Sequence, residues 1–374
     1  MRFLRGSAPS VRAVVTAGNL IGYIPRHLGN AERLLAQEHA RRSFARVIEA
    51  TGSYGANLVL IAGGLFSQSE PPLEDVRFVA RILREVSDAG ASVLALDESP
   101  EGGGGNATAL AFLEDLGLLL SVPSYGVPAT RTIDVSGISI AICSSGVTSN
   151  LDPRSSEAQL RIMLASDAGA LDDPANTLGS TDLIVLGDSP EPGSHLLGSA
   201  TVVRPGWSSP SRADNRVAAG FALAEFGTAG TVELEFREID GGTPAVLIFK
   251  PEEFAGVDPA TALRERVAPL IGDAPFITLE FTGLFSRELW HRCHIGDLRR
   301  RASSAGSIIN IDLSRLEVPT ASSTTKPTRS FLVEVRRAAD RMDNSAEPRD
   351  TKAIDRARQA ITARFQSPPS MGVT

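Results

Sequence analysis

Histidine is scarce in this chain of 374 residues: five occur, at positions 27, 39, 195, 291 and 294. Cysteine is scarcer still, with only Cys143 and Cys293, too few for a disulfide scaffold and wrong in number and spacing for a zinc cluster. No uncharged run approaches the roughly 18 residues that a membrane helix needs. The segment from Met1 to Ser10 holds two arginines but no apolar stretch ahead of a small-residue cleavage site, so no signal peptide is expected and the expected location is cytoplasmic and nucleoid-associated, with no membrane partner. An excess of positive charge is also lacking. With 37 Lys and Arg against 44 Asp and Glu, the formal net charge is −7, which excludes general adherence to nucleic acid and confines any DNA contact to a local patch.

What is present describes an ordinary globular chain. Hydrophobic residues make up 42% and charged residues 22%, with 34 Gly and 23 Pro, a composition that implies many loops and neither a fibrous nor a broadly disordered protein. At about 150 residues per domain, the length calls for two to three domains.

In the first half, short apolar runs alternate with helical patterns, the mark of βαβ units building a parallel or mixed sheet. Arg12 to Thr16, Asn57 to Ala62 and Ser92 to Leu96 read as buried strands that each end at Gly or an acidic turn. Between them, Ala36, Ala40, Phe44, Val47 and Ile48 share one helix face, and Val76, Val79, Ala80, Leu83 and Val86 share another. Further strands are expected at Thr132 to Val135, Ser139 to Cys143 and Leu183 to Leu186. Gly220 to Glu225, Thr231 to Arg237 and Ala245 to Phe249 are expected to form a meander. The acidic, Pro-bearing stretch from Lys250 to Pro259 then separates residues 1–250 from a smaller unit at 251–317. That unit reads as helix, strand, helix, strand at Pro259 to Leu270, Phe276 to Phe281, Ser286 to Ala302 and Ile308 to Leu313. The Ser, Thr and Pro-rich segment 318–328 reads as a linker. In 329–374, Phe331, Val335, Ala338 and Met342 mark one amphipathic helix, and Ile354, Ala357, Ile361 and Phe365 mark a second.

The string Ile61-Ala62-Gly63-Gly64-Leu65-Phe66, directly after a strand, resembles a Gly-Asp-Leu-Phe signature with one letter changed. Thr16-Ala17-Gly18-Asn19-Leu20-Ile21-Gly22-Tyr23 resembles Thr-Ser-Asp-x-His-Leu-Gly-Tyr. Leu186-Gly187-Asp188-Ser189-Pro190 resembles Leu-Gly-His-x-His, and Arg204-Pro205-Gly206 with Ser208 resembles the Tyr-Pro-Gly-Ser that follows it. In order and placement these motifs resemble the SbcD-type DNA repair exonuclease subunits, which are calcineurin-like metallophosphoesterases. The resemblance runs from about Arg12 to Leu316, with the tail helices matching in position.

It implies an α/β fold: a four-layer αββα metallophosphoesterase-type sandwich, a smaller α/β cap domain that faces DNA, and a C-terminal helix-loop-helix. The family's chemistry uses two bridged divalent metals to activate water and to stabilise phosphate oxygens. Carried over position by position, its metal ligands fall on Gly18, Leu20, Gly64, Ser99, Ser145, Asp188 and Pro190, and its catalytic His on Pro100. Only Asp188 has a typical ligand side chain, and one carboxylate does not hold two cations. The expectation is therefore a pseudo-nuclease with no cofactor. The alternative is an active metal-dependent DNA exo- or endonuclease, or a phosphoesterase, that binds Mn²⁺ or Mg²⁺ in a rearranged site.

Two improvised metal sites stand beside bland readings. Asp97, Glu98 and Glu101 with Asp188 offer oxygen ligands, or form an acidic surface loop beside a glycine run. His291 and His294 with Asp297 offer donors one helical turn apart, or belong to a cap helix with a basic side. Arg287, Arg292, Arg299, Arg300 and Arg301 offer a phosphate-contacting surface for double-stranded DNA, or cap a helix C-terminus ahead of Gly306. By the resemblance, the tail would grip the coiled coil of an SMC-like (SbcC-type) ATPase through Phe331, Leu332, Val335, Ile354, Ile361 and Phe365; the alternative is a pair folded back on its own domain. The family's dimerisation makes the helix Ala31 to Ala50 a candidate homodimer surface.

Overall fold

Most strands of the first half end within two residues of a glycine or an acid, and these ends determine where the loops collect. The structure, a computed structural model, describes residues 10–23, 28–98, 108–124, 130–144, 158–167, 181–210, 216–227 and 231–317. The proposed linker and tail helices lie outside the described residues.

The first sheet contains β1 (Val11–Thr16), β2 (Leu58–Ile61), β3 (Ser92–Asp97), β4 (Leu120–Pro123), β11 (Gly220–Phe226) and β12 (Val232–Glu238). Their order is β12-β11-β1-β2-β3-β4. Strands β1 to β4 run parallel, with Val14 opposite Val59 and Leu96 opposite Val122. β11 pairs antiparallel with β1, Leu223 opposite Val14. The parallel steps are crossed over by α1 (Asn30–Tyr54), α2 (Leu73–Asp88) and α3 (Ala109–Asp115). Local chemistry sets the helix ends. The Glu32 carboxylate accepts from the Gly29 backbone N–H at 3.0 Å, closing the first turn of α1, and Gly55 at φ 66° stops the helix in the left-handed conformation.

The second sheet has the order β5-β6-β7-β8-β10-β9. Its strands are β5 (Arg131–Val135), β6 (Ile138–Ser144), β7 (Leu160–Ala165), β8 (Leu183–Leu186), β9 (Gly193–Leu197) and β10 (Ala200–Arg204). β5 and β6 form a hairpin across Ser136 and Gly137, both at positive φ, the two-residue turn whose twist suits a hairpin. Alternation then sorts the side chains. Val15, Leu60 and Leu94 of the first sheet meet Ile140, Ile162 and Val185 of the second in one buried core. Val14, Val59 and Val93 point the other way, onto Phe44, Val79 and Leu83 of the helices. On the outer face of the second sheet, Met163, Ile184, Leu186 and Val202 form a further buried cluster; no helix over it lies among the described residues. Two mixed sheets packed face to face behind a helical layer, with the parallel strands ending in loops on one side, make an α/β sandwich with three of the four expected αββα layers among the described residues.

The third sheet corrects one expectation. β13 (Ala245–Phe249) does not close a meander with β11 and β12. It pairs parallel with β14 (Phe276–Phe281), which pairs parallel with β16 (Ile308–Asp312). Residues 245–249 thus belong with the smaller α/β layer, ahead of position 250. The crossovers are α4 (Pro259–Val267) and the pair α5 (Arg287–Arg292) and α6 (Ile295–Ser304). The continuous helix expected from Ser286 to Ala302 is broken, because His294 sits at φ 47°, ψ 41°, a left-handed conformation that a helix cannot run through. Short β15 (Gly283–Leu284) and β17 (Leu316–Glu317) pair parallel beside this layer. It joins the helical layer at α1: Leu28 and Ala36 pack on Phe276 and Ile308, and His39 Nε2 lies 2.8 Å from the Gly306 carbonyl oxygen. Burial holds the His39 pKa below its ordinary value. The carboxylate of Glu280, fully buried on β14, is met by Arg216 at 2.7 Å and by Arg315 at 3.0 Å.

Candidate functional site

The loops after β1, β2, β3 and β8 carry the positions at which the resemblance places metal ligands. The first two are zipped together by backbone. Gly18 N–H donates to Gly63 O at 3.2 Å, Leu20 N–H to Gly64 O at 2.8 Å and Ile21 N–H to Leu65 O at 3.0 Å. Gly18, Leu20, Gly63 and Gly64 all have positive φ, and a Cβ on Gly64 would lie 3.1 Å from Gly18 Cα. Two backbones therefore meet where a bridging carboxylate and its metals would need room.

Trp207 fills what remains beside Gly18. A Cβ placed on Gly18 would fall inside the indole. The ring is fixed from both ends. Trp207 Nε1–H donates to Gly187 O at 3.2 Å, and the chain around it pairs with the β1 loop, Ser208 N–H to Ala17 O at 3.0 Å and Ser209 N–H to Gly18 O at 3.2 Å. Gly187 is equally constrained, since a side chain there would collide with the Ala62 carbonyl. Asn19, beside Gly18 and fully buried, takes part in a small polar cluster: its Oδ1 accepts from Thr16 Oγ1 at 3.0 Å and from Ser208 Oγ at 2.6 Å.

Two carboxylates complete the strand-end surface. Asp188 accepts from Arg204 Nε at 3.0 Å, so the one ligand-type residue among the positions the resemblance assigns is paired with a neighbour on β10. Glu98, just past β3, turns inward; its Oε2 accepts from Gly64 N–H at 2.6 Å, and a Cβ on Gly63 would lie 2.8 Å from its Cδ. Burial pushes the Glu98 carboxyl above the usual range. The Gly64 hydrogen bond opposes that shift, the charges of Asp97 and Asp167 add to it, and the Ser166 side chain again opposes it. Beside it lies a cleft of about 280 Å³ lined by the 64–69 loop, Leu96 to Glu98 and the start of α3. Asp97 and Glu98 are the charged residues in that lining.

The residues present do not fit a pair of divalent cations. Backbone and indole take the ligand space at Gly18 and Gly64, and Asp188 is committed to Arg204. Among the described residues, no three His, Cys, Asp or Glu side chains cluster closely enough to hold a metal ion. Of the improvised oxygen set, Asp188 and Glu98 are held by Arg204 and Gly64, and Glu101 lies outside the described residues, as do Ser99, Pro100 and Ser145. Pro190 is described, and its carbonyl backs Gly206. His291 and His294 are not two positions on one helix, because the chain reverses handedness at His294, and Arg287 Nε lies 3.4 Å from His291 Nε2. Burial pushes each cysteine thiol up to about 11, away from the thiolate that binds metal.

The cap arginines do not form one stripe. Arg287 and Arg292 belong to α5 and Arg299 to Arg301 to α6. Arg300 pairs with Asp297 in the same helix, Arg292 lies 3.9 Å from Asp258, and Arg299 is half-buried while Arg300 and Arg301 are exposed. Consecutive helical positions point about 100° apart, so the run of three cannot present parallel guanidiniums. Trp207 escaped the sequence reading. Its one signal was a large aromatic within the Pro-Gly-x-Ser segment, where the related motif calls for no such side chain.

No protein-family model and no curated protein matches the chain. Among solved structures, it is similar to an archaeal phosphodiesterase at 10% identity and a TM-score of 0.34, covering 61% of this chain and 100% of that one. It is similar to a predicted phosphoesterase from Streptococcus pneumoniae at 12% identity and a TM-score of 0.28, covering 62% and 91%. It is similar also to Vps29 from Entamoeba histolytica, solved in complex with Zn²⁺, at 11% identity and a TM-score of 0.27, covering 61% and 99%. These likenesses transfer no residue role to this chain, whose sandwich is described by its own strand order and register.

Proposed function

We propose that this chain is a catalytically silent subunit built on a metallophosphoesterase-type sandwich, serving as a binding scaffold in the SbcD-like manner. The observation that carries the reading is the Trp207 indole seated over Gly18, with its Nε1–H on Gly187 O. A two-metal hydrolase needs open ligand positions and room for an attacking water, and here that volume is packed protein. The chemistry left to the strand-end surface is binding and shape.

In this reading the partners are double-stranded DNA and an SMC-like coiled-coil ATPase, with a second copy of the chain as a dimer partner, and any cutting is done by another protein. The service is DNA repair, genome maintenance or phage defence. Support for the ATPase comes from the sequence pattern of Phe331, Leu332, Val335, Ile354, Ile361 and Phe365, a paired amphipathic motif that follows a linker. Support for DNA at the cap comes from its arginine content.

Elemental analysis of the purified protein, together with a Mn²⁺-dependent nuclease assay, tests the silent reading. The expected result is substoichiometric metal and no cleavage; stoichiometric metal with cleavage abolished by Asp188→Ala overturns it. Copurification with the ATPase should be lost on truncation at Thr328, and its survival would remove the tail as the anchor.

A further inference from the structure

We infer that the outer face of α2 is a second, stronger polyanion surface, suited to the sugar-phosphate backbone of nucleic acid. Arg77, Arg81 and Arg84 are all exposed and recur at i, i+4 and i+7, so they share one helix face. The stripe runs about 10 Å along the helix at 1.5 Å rise per residue. Phe78 anchors it: the guanidinium carbon of Arg81 lies 5.7 Å from the ring centroid and that of Arg41, from α1, lies 5.8 Å away. Stacking of this kind limits where Arg81 can swing while leaving its N–H edge free to donate.

Charge pairing separates this face from the cap. The acids nearest its N-terminal end are already taken, because Arg41 holds both Glu74 at 2.7 Å and Asp75 at 2.6 Å. Glu85 and Asp88 stand four residues after Arg81 and Arg84, the less favourable order for a helical ion pair. Among the described residues, neither forms an ion pair with the stripe. The three guanidiniums are open cations in a chain of net charge −7, whereas Arg300 and Arg292 of the cap have carboxylate neighbours.

The face suits phosphate better than a protein partner. A dry protein interface needs an apolar centre; along this face the large exposed apolar side chain is Leu73, at its extreme end. Planar guanidiniums with nothing aimed at base edges contact phosphate in a sequence-independent way. The inference concerns a different surface from the strand-end site and stands or falls separately from the silent-subunit reading.

The test is fluorescence anisotropy of a labelled DNA duplex with the full chain, at about 50 and 200 mM salt, where each phosphate contact contributes about 0.9 to the slope of log affinity against log salt. Replacing Arg77, Arg81 and Arg84 with Gln should weaken binding about tenfold or more at the lower salt and flatten the slope by about 2 to 3. The Arg→Lys triple variant, which keeps the charge, should retain most of the affinity, and matching circular dichroism and melting temperatures establish that both variants fold. Wild-type protein that does not bind the duplex, or a Gln variant that binds it undiminished, overturns the inference. So does a Gln variant that loses capture of polyglutamate while keeping its affinity for DNA, since the surface would then serve an acidic protein.

Discussion

The strand-end loops and the cap helices differ in how far packing fixes their residues. At the strand ends, two of the positions where the resemblance places ligands are closed by packing, Gly64 against Gly18 and Gly18 against the indole, and the neighbouring Gly187 is closed against Ala62. In the cap, the arginines face different directions, across a helix break at His294. A site that is filled is constrained in shape, because close-packed volume is felt when even a methylene is added. A run of surface charges carries no such constraint. The difference teaches that the packing at Gly18 and Gly64 is a structural commitment, and the arginine count a weak indicator of where anions bind.

Placing at position 18 the carboxylate that the resemblance calls for should break the comparison most severely. Gly18→Asp sets a side chain into the indole, at φ 55°, and buries a charge; overpacking, left-handed strain and desolvation together should cost about 3–5 kcal/mol in urea denaturation. No metal site should return with it. Trp207→Ala should cost about 2–3 kcal/mol, below the range for a fully buried Trp because the ring is half-buried. In the double variant the two costs should fall short of additive by about 1 kcal/mol or more, since the deletion makes the room that the carboxylate needs.

Glu98 sharpens the comparison through pH. Its folded pKa is raised, so the folded state holds the proton more tightly than the unfolded chain, and its contribution to stability is complete below the unfolded value of 4.5. That contribution is lost as pH rises through the folded value. Glu98→Gln keeps an oxygen for the Gly64 N–H without the charge, so the variant should match the wild type near pH 4 and exceed it at pH 7. A variant less stable than wild type at pH 7 would mean that the charged carboxylate itself supports the loop. The smallest effect is expected in the cap. His294→Gly relieves a left-handed residue and should raise stability by about 0.5–1 kcal/mol in thermal melts, with no change at the strand ends.

Much of the scaffold was legible because it is locally encoded. Leu183–Leu186, Ala245–Phe249 and Phe276–Phe281 are strands with the boundaries their apolar runs mark. The glycine motifs do end strands, because only Gly tolerates the positive φ and close approach at Gly63 and Gly64. What escaped is non-local. β13 was assigned to the wrong sheet because its partner arrives only after α4, and nothing in five apolar residues names a parallel neighbour across a crossover. β7 reads as an apolar run without alternation, buried on both faces, which periodicity cannot distinguish from a helix. β9 is a mostly exposed edge strand and gives almost no apolar signal. At the site, the missing ligands could be read directly from Gly18, Leu20 and Gly64, but the occupant could not. Trp207 reaches Gly18 through a backbone bridge between residues 17 and 207, a contact visible only once β1 and the segment after β10 are side by side.

The filled site is tested most directly by titrating the full-length protein with Mn²⁺ while following tryptophan fluorescence. A paramagnetic ion bound against the Trp207 indole would quench it. The packing at Gly18 predicts no saturable quenching and no saturable Mn²⁺ uptake in equilibrium dialysis. Saturable uptake of two Mn²⁺ per chain, with quenching that disappears in Trp207→Phe, would contradict it.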